Sequence, residues 1–193
     1  MSTGSGPHES EAKLAPAGGE RVLDFHPGMP MRWEITRGAA ETGGEVFEAT
    51  NWLDAGMPGP PLHVHPTADD SFEVIEGALD FCLGGEWITI RAGESATAPA
   101  GVPHTLRNST SDPVRAVNVH RPALQFESFF REMHALIGLG KIKQLPPKDP
   151  RSAIYAAMLF AKYPEEIRVV KPPNAVFAAL ALLGRALGFK LES

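Results

Sequence analysis

From residue 62 to residue 122 the chain never runs far without a glycine or a proline. Gly77, Gly84-Gly85, Gly93, Pro99, Gly101 and Asp112-Pro113 divide it into apolar or alternating stretches at 71–76, 78–83, 86–91, 95–98, 104–108 and 114–120. Pieces this short cannot make packed helices, but they suit strands joined by tight turns, where glycine supplies positive φ and proline a fixed one. Further strands are expected at 31–37 and 45–51, with Gly43-Gly44 as the turn between them. The Gly- and Pro-rich stretch 53–61 reads as a loop. Many short, evenly punctuated strands point to an all-β sandwich or barrel.

Beyond residue 122 the pattern changes period. Phe126, Phe129, Phe130, Met133 and Ile137 recur at helical spacing, Pro146-Pro147 breaks that helix, and further helices are expected at 150–163 and 174–187. The last is very apolar, but the run 175–184 is short of the ~20 residues that span a bilayer, and Arg185 interrupts it. It is read as a packed or subunit-interface helix. Three parts are therefore expected: a flexible segment 1–20, a β-barrel domain 21–122, and a helical extension 123–193.

The 193 residues are 43% hydrophobic and 21% charged, enough apolar content for a real core. A net charge of -5 argues against general nucleic-acid binding, although the helical extension is mildly basic. Cys82 is the single cysteine, so no intrachain disulfide can form, as befits a reducing compartment. The Gly-, Ser- and Pro-rich first twenty residues lack the apolar core of a signal peptide, and a cytoplasmic location is expected.

Three histidines carry the chemistry. His63 and His65 are two residues apart, so an extended strand presents both imidazoles on one face. His104 stands on another expected strand. Neutral imidazole suits Fe, Mn, Ni, Cu and Zn alike, so a site for one divalent transition-metal ion is the leading expectation.

The two histidine segments resemble the signature motifs of the cupin superfamily. His63-Val64-His65, four residues, Asp70, six residues and Gly77 follow the first motif, with Met57 where its leading glycine belongs and Asp70 in place of its glutamate. Gly93, Pro99, Gly101, His104 and Asn108 match every fixed position of the second. The resemblance covers 31–122 and implies a jelly-roll β-barrel whose metal is held by His63, His65, Asp70 and His104. Asp70 is one methylene shorter than glutamate and would ligate directly, bind through a water, or not bind. Strand counting puts Phe72 and Val74 on its face and Glu73 on the other, which favours Asp70 as the fourth ligand. Phe72, Val74, Phe81, Leu83, Leu106 and Val117 are candidates for the barrel lining. Asn108 is expected to tie down a turn, and His120 and His134 have no motif to place them in the site.

The Pro-Leu-His-x-His-Pro context is similar to the single-domain, quercetinase-like branch. That similarity implies a metal-dependent dioxygenase acting on a flavonol or another phenolic or enolic small molecule, with Asp70 as its base. The alternative is a non-catalytic small-molecule-binding barrel. Either way a homodimer is expected, without nucleic-acid or membrane partners.

Overall fold

The computed structural model describes residues 20–191; the expected flexible segment 1–20 lies outside these apart from Glu20. Among the described residues, eleven strands form two antiparallel sheets. The six-stranded sheet runs β1 (Val22–Asp24), β2 (Met31–Arg37), β3 (Phe47–Leu53), β10 (Val114–Arg121), β5 (Asp69–Glu76) and β8 (Ser95–Ala98). The five-stranded sheet runs β11 (Arg168–Val169), β4 (His63–Val64), β9 (His104–Arg107), β6 (Ala78–Leu83) and β7 (Glu86–Arg91). Neighbours distant in sequence pair across each sheet, so the chain passes repeatedly between the two layers, as in a jelly roll. Strict alternation of buried and half-exposed residues along β3 and β10 turns one face of each into the core.

Alternation also settles the lining. Val74 and Phe81 are fully buried, Phe72 and Leu106 nearly so, and Leu83 is partly buried. Val117 is a correction: β10 buries Val114, Ala116, Asn118 and His120, which leaves Val117 half-exposed on the opposite face. The loop before β4 depends on Gly59, whose φ is +78°. A Cβ there would fall 1.6 Å from the Leu106 carbonyl oxygen, so only glycine lets the loop lie against β9.

The three expected helices are present as α1 (Phe126–Gly138), α2 (Pro150–Lys162) and α3 (Asn174–Ala186). Helix α2 starts where its sequence dictates: Asp149 accepts a hydrogen bond from the Ser152 amide at 3.0 Å, and Pro150 occupies the first turn. Helix α1 buries Phe126, Phe129, Met133 and Leu136 on one stripe, which merges with the barrel core. Its buried Glu132 accepts from Lys162 Nζ at 2.7 Å and Tyr163 Oη at 2.8 Å, tying α1 to the end of α2. The helical extension also carries one short strand: β11 pairs antiparallel with β4, setting Val169 opposite His63. Two residues are too few to show a strand period. No helix is long and apolar enough to cross a membrane among the described residues.

Candidate metal centre

Each histidine is delivered by a strand or its end. His63 opens β4 and pairs directly with His104, the first residue of β9. His65 follows β4 on the same face as His63. Asp70 enters from the other sheet on β5, opposite His120 of β10. Both layers thus converge, and ligand atoms of His63, His65, Asp70 and His104 lie within 4.8 Å of one another, all buried.

The hydrogen bonds around the rings decide what the centre can do. His63 Nδ1 lies 2.8 Å from the Pro61 carbonyl oxygen, and His104 Nδ1 lies 2.9 Å from that of Val102. His65 Nδ1 bonds the carbonyl of Glu166. A carbonyl can only accept, so each Nδ1 carries the proton and each Nε2 is left as a lone pair. Nε2 of His65 and of His104 is buried without a hydrogen-bond partner among the described residues. These atoms instead face Asp70 Oδ2, at 3.6 and 3.3 Å. Lone pairs facing a carboxylate oxygen in a buried pocket repel unless a cation lies between them. The donor set therefore fits a divalent transition metal, with histidines already oriented by their outer hydrogen bonds.

Electrostatics agree. Burial holds the His63 pKa well below the usual histidine range, reinforced by the charge His65 and His104 would add if protonated. Burial pushes His120 down to about 3, against the opposing pull of Asp70. Burial alone would raise the Asp70 pKa, but the positive charge of His120 and the Nε2 hydrogen bonds of His104 and His65, wherever those rings carry the proton, outweigh it and hold the carboxyl well below its ordinary value. At neutral pH Asp70 is an anionic carboxylate, and His63 and His120 beside it are neutral.

The shortened Asp70 is braced by residues outside the two motif segments. Asn118 Nδ2 donates to its Oδ1 at 2.6 Å, and His120 Nε2 lies 3.5 Å from the same oxygen. Sequence reasoning left His120 out of the site, yet its ring sits beside Asp70 and 3.9 Å from that of Phe126. The available signal was period two: Asn118 and His120 share a strand face just as His63 and His65 do. Glu73 is exposed on the outer face of β5. Asn108 holds the turn below β9, donating to Leu53, Asp54 and Asp112 carbonyls and accepting from Thr110. His134 stacks edge-on against Phe25, away from the cluster.

A cavity of about 380 Å³ opens from the cluster toward the helices, within the range of small-molecule sites. His63, His65, Asp70, Asn118 and His120 line its inner end, and Phe126, Phe129, Phe130 and Phe160 wall the passage outward.

Residues 53–120 match the cupin domain family. Over 66 residues the chain is 38% identical to quercetin 2,3-dioxygenase of Bacillus subtilis, a match covering 33% of this chain and 19% of that protein. The chain thus spans less than a fifth of the length of that curated relative. Among solved structures, an RmlC-like cupin from Shewanella frigidimarina is 19% identical, covering 60% of this chain and 95% of its own, with a TM-score of 0.47. A Thermus thermophilus protein is 29% identical over 42% of this chain and 75% of its own, with a TM-score of 0.39.

Proposed function

Since the chain belongs to the cupin superfamily, with its cupin domain at residues 53–120, we propose that it is a metal-dependent dioxygenase acting on a small phenolic or enolic substrate. The carrying observation is the set of preoriented, unpartnered Nε2 atoms facing Asp70 at the end of an apolar, aromatic-walled cavity. His63, His65, Asp70 and His104 would hold one divalent ion: Fe, Mn, Ni, Cu or Zn. Such an ion, when bound, supplies Lewis acidity to a chelating substrate oxygen and, where redox-active, a route for dioxygen chemistry.

The chain's own residues do the remaining work. Asn118 occupies Asp70 Oδ1 and so turns Oδ2 toward the histidines. Oδ2 is the atom placed to accept the proton of a substrate hydroxyl. Phe72, Phe126 and Phe130 exclude water and accept an aromatic ring edgewise or offset. The reading includes a homodimer, supported by the apolar residues left exposed on α3 and just past its end, with Leu182 at 63% and Leu187 at 61%. A light-scattering mass of one chain would refute that part. A cytoplasmic location is supported by the single, unpaired and buried Cys82.

One observation favours a second reading, a binding protein without turnover. A carboxylate occupied by Asn118 and held well below its ordinary pKa is a weak base. Elemental analysis of untagged protein beside a His63→Ala/His104→Ala variant, followed by oxygen-electrode assays with a flavonol, separates the two. Near-stoichiometric metal that the variant lacks, with oxygen uptake, supports the dioxygenase. A ligand-dependent rise in melting temperature without oxygen uptake supports the binding protein.

A further inference from the structure

The cavity is chemically divided along its length. Apart from Lys171, its hydrogen-bonding and titratable lining residues (Trp33, Asn51, His63, His65, Asp70, Asn118 and His120) all belong to the barrel. The part beyond them is walled by the extension, through Ala153, Ala156 and Phe160 of α2 and Phe177 and Leu180 of α3. Lys171 is exposed beside Pro172 on the segment leading into α3, and it is the single charged residue the extension contributes to the wall. A flat phenolic ring seated at the cluster would leave that far compartment to be filled by something else. Water gains little there, because the walls offer it almost no partners.

We propose that the ligand of this site is an amphiphile: an oxygen-donor head at the His63–His65–Asp70 end, and a hydrocarbon tail lying against the cavity wall that α2 and α3 form together. This deepens the reading above and rests on it for the head group alone. The tail is recognised by area, not by hydrogen bonds. Phe160 and Phe177 pack on each other, ring centroids 5.5 Å apart, and join the two helices into one continuous aromatic wall. Ala153 and Ala156 present only methyl groups on the α2 side of the wall, the least obstruction a side chain can offer there. Specificity would then lie in tail length, which the extension sets and the barrel does not.

The test uses full-length protein, zinc-loaded under argon so that no oxidation intervenes, and a series of catechol, 4-butylcatechol and 4-octylcatechol. Calorimetric affinity should rise about fourfold per methylene until the far compartment is full. Ala153→Phe should flatten that rise while leaving zinc content and the affinity for catechol itself unchanged. Phe177→Ala, an easier change to fold around, should weaken octylcatechol severalfold and catechol not at all. Equal affinities across the series would overturn the tail compartment and leave the metal reading intact.

If no catechol binds the zinc protein, the metal reading fails, and the compartment is judged in metal-free protein with N-phenyl-1-naphthylamine. Fluorescence enhancement abolished by Ala153→Phe upholds an apolar chain site. No enhancement, or enhancement indifferent to that substitution, overturns it.

Discussion

The barrel and the helical extension build the two ends of one cavity by opposite means. In the barrel, direction matters: His63 and His104 are each aimed by a carbonyl two residues away, and Asp70 is aimed by Asn118. In the extension, the wall is aliphatic and aromatic apart from the exposed Lys171, and shape matters more than direction. His65 is where the two meet, since its Nδ1 bonds Glu166, which lies between α2 and β11. Geometry held by hydrogen bonds is sensitive to single atoms, whereas a wall held by packing yields in small steps. The extension is thus an outer part of the centre as well as its cover.

The sharpest way to break this contrast is Asn118→Ala. It frees Asp70 Oδ1 without touching a histidine, so metal affinity should fall about 10–100-fold, as for other outer partners of metal ligands. Competition against a metallochromic chelator measures it. An unchanged affinity would mean that Asp70 needs no bracing.

Acid comes next. His63 and His120 are held neutral by burial in the fold, while in the unfolded chain they titrate near 6.5. Metal-free protein should keep its full stability above that value. Stability is lost as the pH falls below it, toward the folded value of about 3 for His120, because only the unfolded chain takes up the protons. The loss should be about 1.4 kcal/mol per pH unit for each such histidine. Melting temperatures across pH check this, and His120→Gln should make the slope shallower.

The extension should respond more softly. A Cβ at Gly184 would lie 2.6 Å from Ile154 Cγ2 and 2.8 Å from Met158 Sδ, side-chain atoms that can move. Gly184→Ala is expected to cost about 1–2 kcal/mol by overpacking α3 on α2, and to leave metal content unchanged. Metal loss in this variant would show the two ends to be more tightly coupled than their bonding suggests. Smallest of all is Glu73→Ala, on the outer face of β5, with stability within about 0.5 kcal/mol of the parent and full metal content.

Much of this was legible in sequence. Gly77 and Gly93 lie in tight turns at positive φ, and the strand at 78–83 appears as β6 with those limits. The face of Asp70 followed from counting, because one side of β5 is buried and a slip of one residue would expose it. Helix α1 followed from its phenylalanine spacing. Val117 is different: no motif anchors β10, and a valine there fits either face until the register is known. His120 and Asn118 were missed for the same cause.

By itself the sequence determined the strand grammar, the helix positions and the pairing of His63 with His65 on one face. These follow from local geometry, with periods of two and 3.6 and turns that demand glycine or proline. Tertiary structure alone decided that Asn118 would brace an aspartate 48 residues away and that Glu166 would aim His65 from 101 residues away. It also decided that α2 and α3 would wall the far end of the cavity. Such contacts depend on how two sheets and three helices close around a common core, and no repeat along the chain records that closure.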